Sequence, residues 1–450
     1  MRTDWMQETA DAAPQDGLTR RTFLKAGAVA GGGLVLGFFV PGADKLANAQ
    51  PRPKPVFQPN AFLRIAPDNS VTVMVNRLEF GQGVQTSLPM LIAEELDCDW
   101  AQMRGELAPA ADAFKDPIFG IQMTGGSGSV GRSFMQYREI GAAARAMLLA
   151  AAAKQWNVAP ELCRTANGVV YGPNGSSATY GALADAAMQM PLPAKVALKD
   201  ARNFAIVGKP VRRLDARDKS TGKQRFGIDH GVSGMKVVVL AHPPVFGAKV
   251  GKLDASKAKA VRGVAEVLEV SLDRGARGVA VIADGYWPAK QGRDALLIEW
   301  DTSGVEKTDS AAQMAAYKAQ AKTPGIVARE ADVSKLAGAA HKISATYEFP
   351  YLAHAPMEPL NCVIDLRADA CTVWAGSQFQ TIDHGAIART AGLKPEQVTL
   401  HTMMAGVLGP HQFLTVGHRI GPGDAGRFVD QGLHHVSGMG STDRTPPQHR

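Results

Sequence analysis

The sequence predicts an α+β fold, because short strands and helices follow one another along most of the chain. Residues 62–75 form a predicted pair of strands around the turn sequence PDNS, with a helix after them. Residues 361–376 alternate apolar and polar side chains around Ala368-Asp369, which is typical of a hairpin, and a helical period begins near Thr381. Between these stretches, residues 235–300 mix strand-like runs with two short helices.

The N-terminal residues 1–50 have the composition of a Tat-type export signal. TRRTFLK at 19–25 is followed by a glycine-rich apolar run at 26–40 and by Ala47-Asn48-Ala49, an A-x-A cleavage sequence. The apolar run is too short and too rich in glycine for a stable membrane span. The alternative is a chance Arg-Arg before a buried helix. From the three-part signal we expect that the Tat machinery exports this protein to the periplasm. The exported protein could also be bound peripherally to the inner membrane.

Composition excludes several classes of function. A net charge of +7 over 450 residues, with no Lys/Arg run interleaved with aromatics, argues against nucleic acid as a partner. The four cysteines form no CxxC pair, so neither an iron–sulfur nor a zinc site is expected within the chain, and no metal ligands are assigned. A turn at Ala368-Asp369 pairs Leu366 with Cys371 and places Cys362 opposite Ala375, so no disulfide is expected across the hairpin.

The first globular segment, residues 51–205, contains a glycine turn. LEFGQGVQT at 78–86 places Gln82 between two glycines, which lets the backbone approach a ligand closely while an amide reaches it. Ser87 is predicted to cap the following helix, with Pro89 in its first turn. A plain tight turn remains the alternative.

A second glycine-rich loop, TGGSGSV at 124–130, precedes an alanine-rich helix predicted at 133–155. Glycine and serine at a helix N-terminus offer N–H groups and hydroxyls to an anion, usually a phosphate, although a helix-entry loop without a ligand is an equal alternative. The loop nearly matches a P-loop, but Arg132 stands where that motif needs lysine, so an NTPase is disfavoured.

Gln378 lies where the second strand of the 361–376 hairpin ends and a helix begins. A carboxamide at such a position can both donate to and accept from a bound group. The alternative is a glutamine that only completes the loop.

The sequence around Gln378 resembles a known family. HAPMEPL, VWAGSQ and AGLKPEQV are similar to the first molybdenum-cofactor-binding segment of the xanthine oxidase and aldehyde oxidase superfamily, in the branch of the isoquinoline 1-oxidoreductase large subunits and related aldehyde dehydrogenases. The resemblance implies that Gln378 hydrogen-bonds an oxygen ligand of molybdenum.

The two glycine-rich turns resemble the second cofactor-binding segment of the same superfamily, placed first as in the isoquinoline-type subunits. The resemblance implies contacts to the pterin end from the GQG turn and to the phosphate or nucleotide tail from the TGGSGS loop. The implied contact residues are Gly81, Gln82, Gly83, Thr86, Gly125, Gly126, Ser127 and Ser129.

The remaining domains follow from the same resemblance. DARDKSTGK, HPP and GYWPAK make residues 206–305 similar to the α/β hammerhead domain, which the cofactor-binding segments then flank. Residues 306–340 are expected to be a linker with one exposed helix. Residues 341–405 are the incomplete first-type segment, in which we interpret Glu358 as structural, and residues 406–450 are an irregular tail.

The resemblance implies the large subunit of an exported molybdenum hydroxylase, which oxidises N-heteroaromatics or aldehydes, its small organic substrates, with water as oxygen donor. The cofactor would be molybdopterin, in its cytosine dinucleotide form, with molybdenum. Electrons would leave through a small [2Fe–2S] subunit, with a cytochrome c as a further candidate partner.

The family's general base, a glutamate in the far C-terminal part, has no counterpart in this chain, so no catalytic residue is assigned. Glu79 and Glu358 lie in no matching motif. After about residue 405 the family's glycine-rich loop is missing, and the tail carries five of the 11 histidines. A change of reading frame or an artificial end is favoured over a metal-binding tail. The alternatives are a non-catalytic fragment of such a subunit and an exported solute-binding protein.

Overall fold

Helices and sheets are mixed along the chain, as the α+β prediction requires. The computed structural model describes residues 34–36, 62–116, 118–272, 275–305, 307, 309–327, 330, 332, 334–349, 351, 357–406 and 427–431. The described chain divides into two units. Unit 1 comprises Met1–Arg225, Gly376–His384 and Thr399–Met404, and unit 2 comprises Phe226–Ala375, Gly385–Val398 and Ala405–Arg450. The predicted export signal lies outside the described residues except for a strand at Leu34–Leu36.

The described residues of unit 1 form two sheets and four complete α-helices, and the unit also includes the first residues of a helix that begins at Gln380. Its strands are β1 Leu34–Leu36, β2 Leu63–Ile65, β3 Val71–Val75, β4 Met103–Leu107, β5 Arg164–Ala166, β6 Val169–Tyr171 and β7 Ser177–Thr179, and its helices are α1 Val84–Leu96, α2 Ser129–Trp156, α3 Tyr180–Met188 and α4 Ala216–Ser220. The first sheet has the order β1-β2-β3-β4, with only β3 and β4 parallel, and β5-β6-β7 form an antiparallel meander.

Local turn chemistry explains where the first elements begin. The predicted PDNS turn is confirmed: Asp68 Oδ1 accepts from Ser70 N at 3.0 Å, and Asn69 is left-handed with φ 69°. The prediction that Ser87 caps α1 is wrong. The helix begins at Val84, because Gly83 takes φ 90° and its carbonyl already accepts from the backbone N–H of Ser87 at 2.9 Å. The long helix α2 likewise begins at Ser129, four residues before the predicted start.

The core of unit 1 lies between the first sheet and helices α1 and α2. Phe62 packs edge-on against Phe114 and Tyr137, with ring centroids 5.1 and 5.5 Å apart. The two helices approach closely at Gly141, where an added Cβ would lie 2.7 Å from the carbonyl oxygen of Ile92. This packing fixes the N-terminus of α2, and therefore the glycine loop before it, relative to the end of β3.

Unit 2 contains a larger sheet. The strands in the remaining chain are β8 Lys236–Ala241, β9 Lys249–Asp254, β10 Val264–Ser271, β11 Arg277–Ala283, β12 Leu297–Asp301, β13 Asn361–Leu366, β14 Cys371–Ala375, β15 Val398–Thr402 and β16 Arg427–Gln431. The helices are α5 Ser256–Lys259, α6 Tyr286–Asp294, α7 Ser310–Gln320, α8 Ser334–Ala337 and α9 Gln380–Ala391. Unit 2 carries strands in the order β10-β11-β8-β16-β13-β14, and β9 pairs with β12.

The hairpin β13–β14 has the predicted register. Leu366 pairs with Cys371 and Cys362 with Ala375, and the four cysteines of the chain are buried and form no disulfide. The exposed helix expected in the linker is confirmed by α7, which buries no residue, and the one-turn helix α8 was not predicted.

The tail was predicted to be irregular, and this is wrong for residues 427–431. Strand β16 pairs antiparallel with β13 and parallel with β8. Its position depends on strands far away in sequence, which a local period cannot reveal. Residues 407–426 and 432–450, where a changed reading frame was expected, lie outside the described residues. None of the helices in the described ranges has both the length and the apolar character that crossing a membrane requires.

Candidate functional site

Thr124 joins the three predicted cofactor-binding segments within unit 1. It is only 1% exposed, and its Oγ1 accepts from the backbone N–H of Leu78 at 2.7 Å. Its own N–H donates to the carbonyl oxygen of Gln378 at 2.7 Å, and its carbonyl oxygen accepts from Gln378 Nε2 at 2.9 Å. The GQG turn, the TGGSGS loop and the Ser377-Gln378 element are therefore adjacent. Sequence reasoning did not select Thr124, although it begins the TGGSGS motif.

Glu79 holds the GQG turn from inside. Its side chain is fully buried, and Oε1 accepts from the N–H groups of Gly81 at 2.8 Å and Gly83 at 3.1 Å. Oε2 accepts from the N–H of Gln85 at 2.9 Å. A carboxylate with three backbone donors is committed to shaping the loop. This geometry agrees with the absence of a catalytic motif around Glu79.

Basic residues surround the Glu79 carboxylate. Arg213 Nη2 and Lys219 Nζ lie 3.4 and 3.7 Å from its Oε1, and both cations also pair with Asp215, at 2.8 and 2.7 Å. Burial of Asp215 acts to raise the pKa of its carboxyl, but the hydrogen bonds from Arg213 and Lys219 outweigh it and hold that pKa below the ordinary value. Lys219 therefore supports the fold of this turn.

Gln82 and Thr86, two of the predicted cofactor contacts in the turn, form hydrogen bonds to other residues of unit 1. The Gln82 carboxamide folds back across the turn: Nε2 donates to Leu78 O at 2.6 Å and Oε1 accepts from Phe80 N at 2.9 Å. Thr86 is buried, and its Oγ1 accepts from Leu214 N at 3.1 Å. Each hydrogen-bonding group keeps capacity for a further bond. Their contact with a cofactor stays a prediction.

A buried arginine anchors the glycine-rich loop. Arg77 is 1% exposed as a residue and donates to Met123 O at 2.6 Å, to Asp116 Oδ2 at 2.8 Å and to Ser133 Oγ at 3.2 Å. Asp116 Oδ2 also accepts from Arg132 Nε at 2.8 Å. These hydrogen bonds hold Met123, at the start of the loop, and the first turns of α2 close to the end of β3. No motif or period in the sequence indicates that Arg77 is buried.

The tip of this loop leaves backbone groups accessible. Gly126 and Ser127 are exposed and left-handed, with φ 60° and 52°, and α2 begins two residues later. The first N–H groups of a helix have no acceptor within the helix, so they favour an anion. Arg132 lies beneath the tip: its Nη2 donates to Gly125 O at 2.9 Å, and a Cβ added to Gly128 would lie 2.0 Å from its Nη1.

Behind Gln378, Ser377 and Asp383 form a buried pair. The Ser377 hydroxyl donates to Asp383 Oδ2 at 2.5 Å, and both residues have no exposed surface. Burial raises the pKa of the Asp383 carboxyl to about 7, although the Ser377 hydrogen bond acts to lower it. Gln378 itself is 7% exposed and uses one hydrogen of Nε2 on Thr124, which leaves the second hydrogen for another acceptor.

Several buried polar atoms nearby lack partners. Within the described part of the chain, Gln122 Nε2, both side-chain polar atoms of Gln380 and Asp383 Oδ1 make no hydrogen bond. Gln122 lies next to the start of helix α9, which carries Gln380 and Asp383, because Gln122 N donates to Thr381 Oγ1 at 2.9 Å. Buried polar groups are normally satisfied by protein, ordered water or a ligand.

Taken together, these residues fit a polar heterocyclic cofactor with an anionic tail. The helix N-terminus at Ser129 suits the anion, an added Cβ at Gly81 would meet nothing within 4 Å, and Gln378 has a spare N–H. No group of three His, Cys, Asp or Glu in the described ranges is arranged to hold a metal ion.

Comparison with known families agrees with this fit. Residues 12–239, just over half of the chain, match a family model described as Molybdopterin cofactor-binding domain, and residues 319–407 match a second model of the same description. The beta subunit of isoquinoline 1-oxidoreductase from Brevundimonas diminuta is 28% identical over 475 positions, which cover 94% of this chain and 58% of the relative. Membrane-bound aldehyde dehydrogenase (pyrroloquinoline-quinone) from Gluconacetobacter polyoxogenes is 28% identical, covering 87% of this chain and 52% of the relative.

A third relative, a nicotinate dehydrogenase subunit from Pseudomonas putida, is 26% identical and covers 70% of this chain and 27% of the relative. The chain spans a little over half the length of the first two relatives. Among solved structures, quinoline 2-oxidoreductase from Pseudomonas putida 86 aligns with a TM-score of 0.37 and 16% identity, covering 50% of this chain and 34% of that one. Aldehyde oxidoreductase from Desulfovibrio gigas aligns with a TM-score of 0.34 and 17% identity, covering 48% and 29%.

Proposed function

Since the chain belongs to the molybdopterin cofactor-binding domain family, that of the molybdopterin-binding subunits of xanthine oxidase relatives, we propose that it is the cofactor-binding part of a molybdenum hydroxylase large subunit. One observation carries the proposal. Thr124 hydrogen-bonds both Leu78 and Gln378, so three segments that are separate in sequence form one cradle.

Each segment of the cradle has a distinct role in this proposal. The N–H groups and hydroxyls at Gly125, Gly126, Ser127 and Ser129 would bind the anionic tail, and the Gly81–Gly83 backbone would contact the pterin. Gln378 would hold the metal-bearing end of the cofactor through its spare N–H and so orient the group. When bound, the cofactor supplies two-electron oxidation of a carbon atom, with water as the source of oxygen. Protonation and deprotonation of the substrate are not assigned to any residue of this chain.

The finer assignments are parts of the same proposal. The substrate is an N-heteroaromatic compound or an aldehyde, in line with the names of the relatives. The cofactor is the cytosine dinucleotide form, residues 206–305 form an α/β hammerhead domain, and a small [2Fe–2S] subunit removes the electrons, with a cytochrome c as a further acceptor. The chain lacks a CxxC pair, so the iron–sulfur centre belongs to the partner.

Cofactor content is the direct test. The chain, co-produced with its small subunit in a host that makes the molybdenum cofactor, should contain about one molybdenum and one pterin nucleotide per chain. Metal analysis and chromatography of the released nucleotide measure both, and the base identifies the dinucleotide. A preparation with neither component would contradict the proposal. Binding of an organic solute by such a preparation would indicate a solute-binding protein instead.

Replacing Gln378 by alanine should separate cofactor binding from turnover. Molybdenum content should stay near that of the unmodified chain, because the anionic tail is held elsewhere, while the rate per molybdenum in the assembled complex falls about 10- to 100-fold. Gln189→Ala, at an exposed glutamine in the same unit, is the matched control and should change neither quantity. Equal rates for both variants would remove Gln378 from the site. A loaded but inactive unmodified complex would indicate a non-catalytic fragment.

Export through the Tat machinery is the final part of the proposal, and it rests on the sequence at 19–49 alone. Replacing both Arg20 and Arg21 by lysine should retain the protein in the cytoplasmic fraction, whereas the unmodified chain reaches the periplasmic fraction. Equal distribution of the two chains would contradict export by this route.

A further inference from the structure

We propose that Ser377 and Asp383 form a positioning pair, which holds the Gln378 carboxamide in the orientation that faces the cofactor. This inference rests on the proposed function, because it assigns Gln378 to cofactor contact. It adds two residues that the family match alone does not assign. Neither residue touches the cofactor in this proposal, so both act through Gln378.

The pair closes a short turn around Gln378. The Ser377 hydroxyl donates to Asp383 Oδ2, and Ser377 Oγ accepts from the backbone N–H of Phe379 at 3.2 Å. Asp383 N in turn donates to Phe379 O at 2.9 Å, which starts helix α9. Three hydrogen bonds therefore fix the backbone on both sides of Gln378, and the direction of its side chain follows from that backbone.

Thr124 fixes Gln378 from the opposite side. Its backbone accepts from Gln378 Nε2 and donates to Gln378 O. The start of α9 is itself held in unit 1, because Gln122 N donates to Thr381 Oγ1 at 2.9 Å. The Ser377–Asp383 bond connects the residue before Gln378 to this first turn of α9 and so restrains the turn at 377–379 on its second side. A rigid amide, held from two sides, is what orientation of a bound group requires.

The chemistry of Asp383 suits this role. It is fully buried, its second oxygen has no partner within the described residues, and no lysine or arginine is among its hydrogen-bond partners. Its raised pKa, about 7, agrees with a carboxyl whose neutral form is favoured by its surroundings. A neutral carboxylic acid still accepts the Ser377 hydroxyl. Asparagine offers the same acceptor and nearly the same shape, so Asp383→Asn is a conservative replacement.

The test compares four variants of the full chain in the assembled complex: Asp383→Ala, Asp383→Asn, Ser377→Ala and the control Asp185→Asn at an exposed position in α3. We expect Asp383→Ala and Ser377→Ala each to lower kcat per molybdenum about tenfold with KM within about twofold. Asp383→Asn should have a rate within about threefold of that of the unmodified chain. The control Asp185→Asn should have the same rate as the unmodified chain. Combining Ser377→Ala with Asp383→Ala in one chain should lower the rate no further than either replacement alone, because the two residues act as one unit.

A structural readout does not need the cofactor. Crystal structures of the chain should show Gln378 Nε2 beyond hydrogen-bond distance of Thr124 O in Asp383→Ala, and within it in Asp383→Asn. An unmoved Gln378 in Asp383→Ala, or activity lost only in proportion to lost molybdenum, would overturn the positioning role. Absence of molybdenum from the unmodified chain would instead overturn the proposed function, and the crystal structures would still decide the pair.

Discussion

Replacing Glu79 by alanine is expected to lower the free energy of unfolding by about 3–5 kcal/mol, one of the two largest effects expected for a single substitution. The carboxylate is fully buried and accepts three backbone N–H groups of the GQG turn, and each buried donor left without an acceptor costs roughly 1–3 kcal/mol. Arg213 and Lys219 would still pair with Asp215. The loss of their contacts to Glu79 should therefore contribute less to the destabilisation than the three unpaired N–H groups. Urea denaturation measures the change, and hydrogen exchange of peptides covering 78–86 locates it.

Two further variants make this prediction specific. Glu79→Gln keeps one oxygen acceptor but places an NH₂ group opposite backbone donors, so its stability should lie between those of the alanine variant and the unmodified chain. Glu161→Ala, at an exposed glutamate in unit 1, should change stability by less than about 0.5 kcal/mol. The loop-shaping role of Glu79 is wrong if Glu79→Ala unfolds within about 1 kcal/mol of this control. The folded fraction of Glu79→Ala should also retain less molybdenum.

The second large effect is expected at Arg77. Replacement by methionine should destabilise the chain by about 3 kcal/mol, because it leaves Asp116 without one cation and Met123 O without its donor. The loss should stay at the low end of the range for a broken buried pair, since Arg132 still contacts Asp116 at 2.8 Å. Arg64→Met is the matched control. Its ion pair with Glu106 is about half exposed, so it should cost less than about 1 kcal/mol.

The Arg77 effect should also depend on pH. Burial acts to raise the pKa of Asp116, but the Arg77 hydrogen bond and the nearby backbone N–H groups hold it below the ordinary value of 3.8. A depressed carboxyl pKa contributes stability above pH 3.8 that is lost as the pH falls through the folded-state value. The difference in free energy of unfolding between the unmodified chain and Arg77→Met should therefore become smaller as the pH falls below 3.8. The stabilising role of the Arg77–Asp116 pair would be contradicted by a stability difference that grows below about pH 4. Equal stabilities of Arg77→Met and Arg64→Met at about pH 7 would contradict it as well.

Sequence reasoning succeeded where structure is local. The β13–β14 register followed from the turn at Ala368-Asp369, because a two-residue turn fixes which residues face each other. It misplaced the start of α1, because serine is a common helix cap and Ser87 was available, whereas the left-handed Gly83 begins the helix earlier. Both outcomes depended on residues within a few positions of each other.

The site itself was only partly predictable. The motifs pointed to four residues of the GQG turn, including Thr86, to Gly125, Gly126, Ser127 and Ser129, and to Gln378, but not to the residues that bring them together. Thr124, Arg77 and Glu79 act through partners and burial that no period or motif in the sequence specifies. A charged side chain next to a strand is normally exposed, so its complete burial can be read only from the folded chain.

The hydrogen bond between Thr124 and Gln378 has a consequence for the order of folding. It joins residues 254 positions apart, and closing a flexible loop of that length would cost about 5 kcal/mol of chain entropy. The described residues of unit 1 before Arg225 are synthesised first, but unit 1 also needs residues from 376–384 and 399–404. The cradle therefore cannot be complete until residues of unit 2 have left the ribosome. Under the proposed function, a cofactor that contacts both Gly126 and Gln378 would therefore be inserted late in the maturation of the chain.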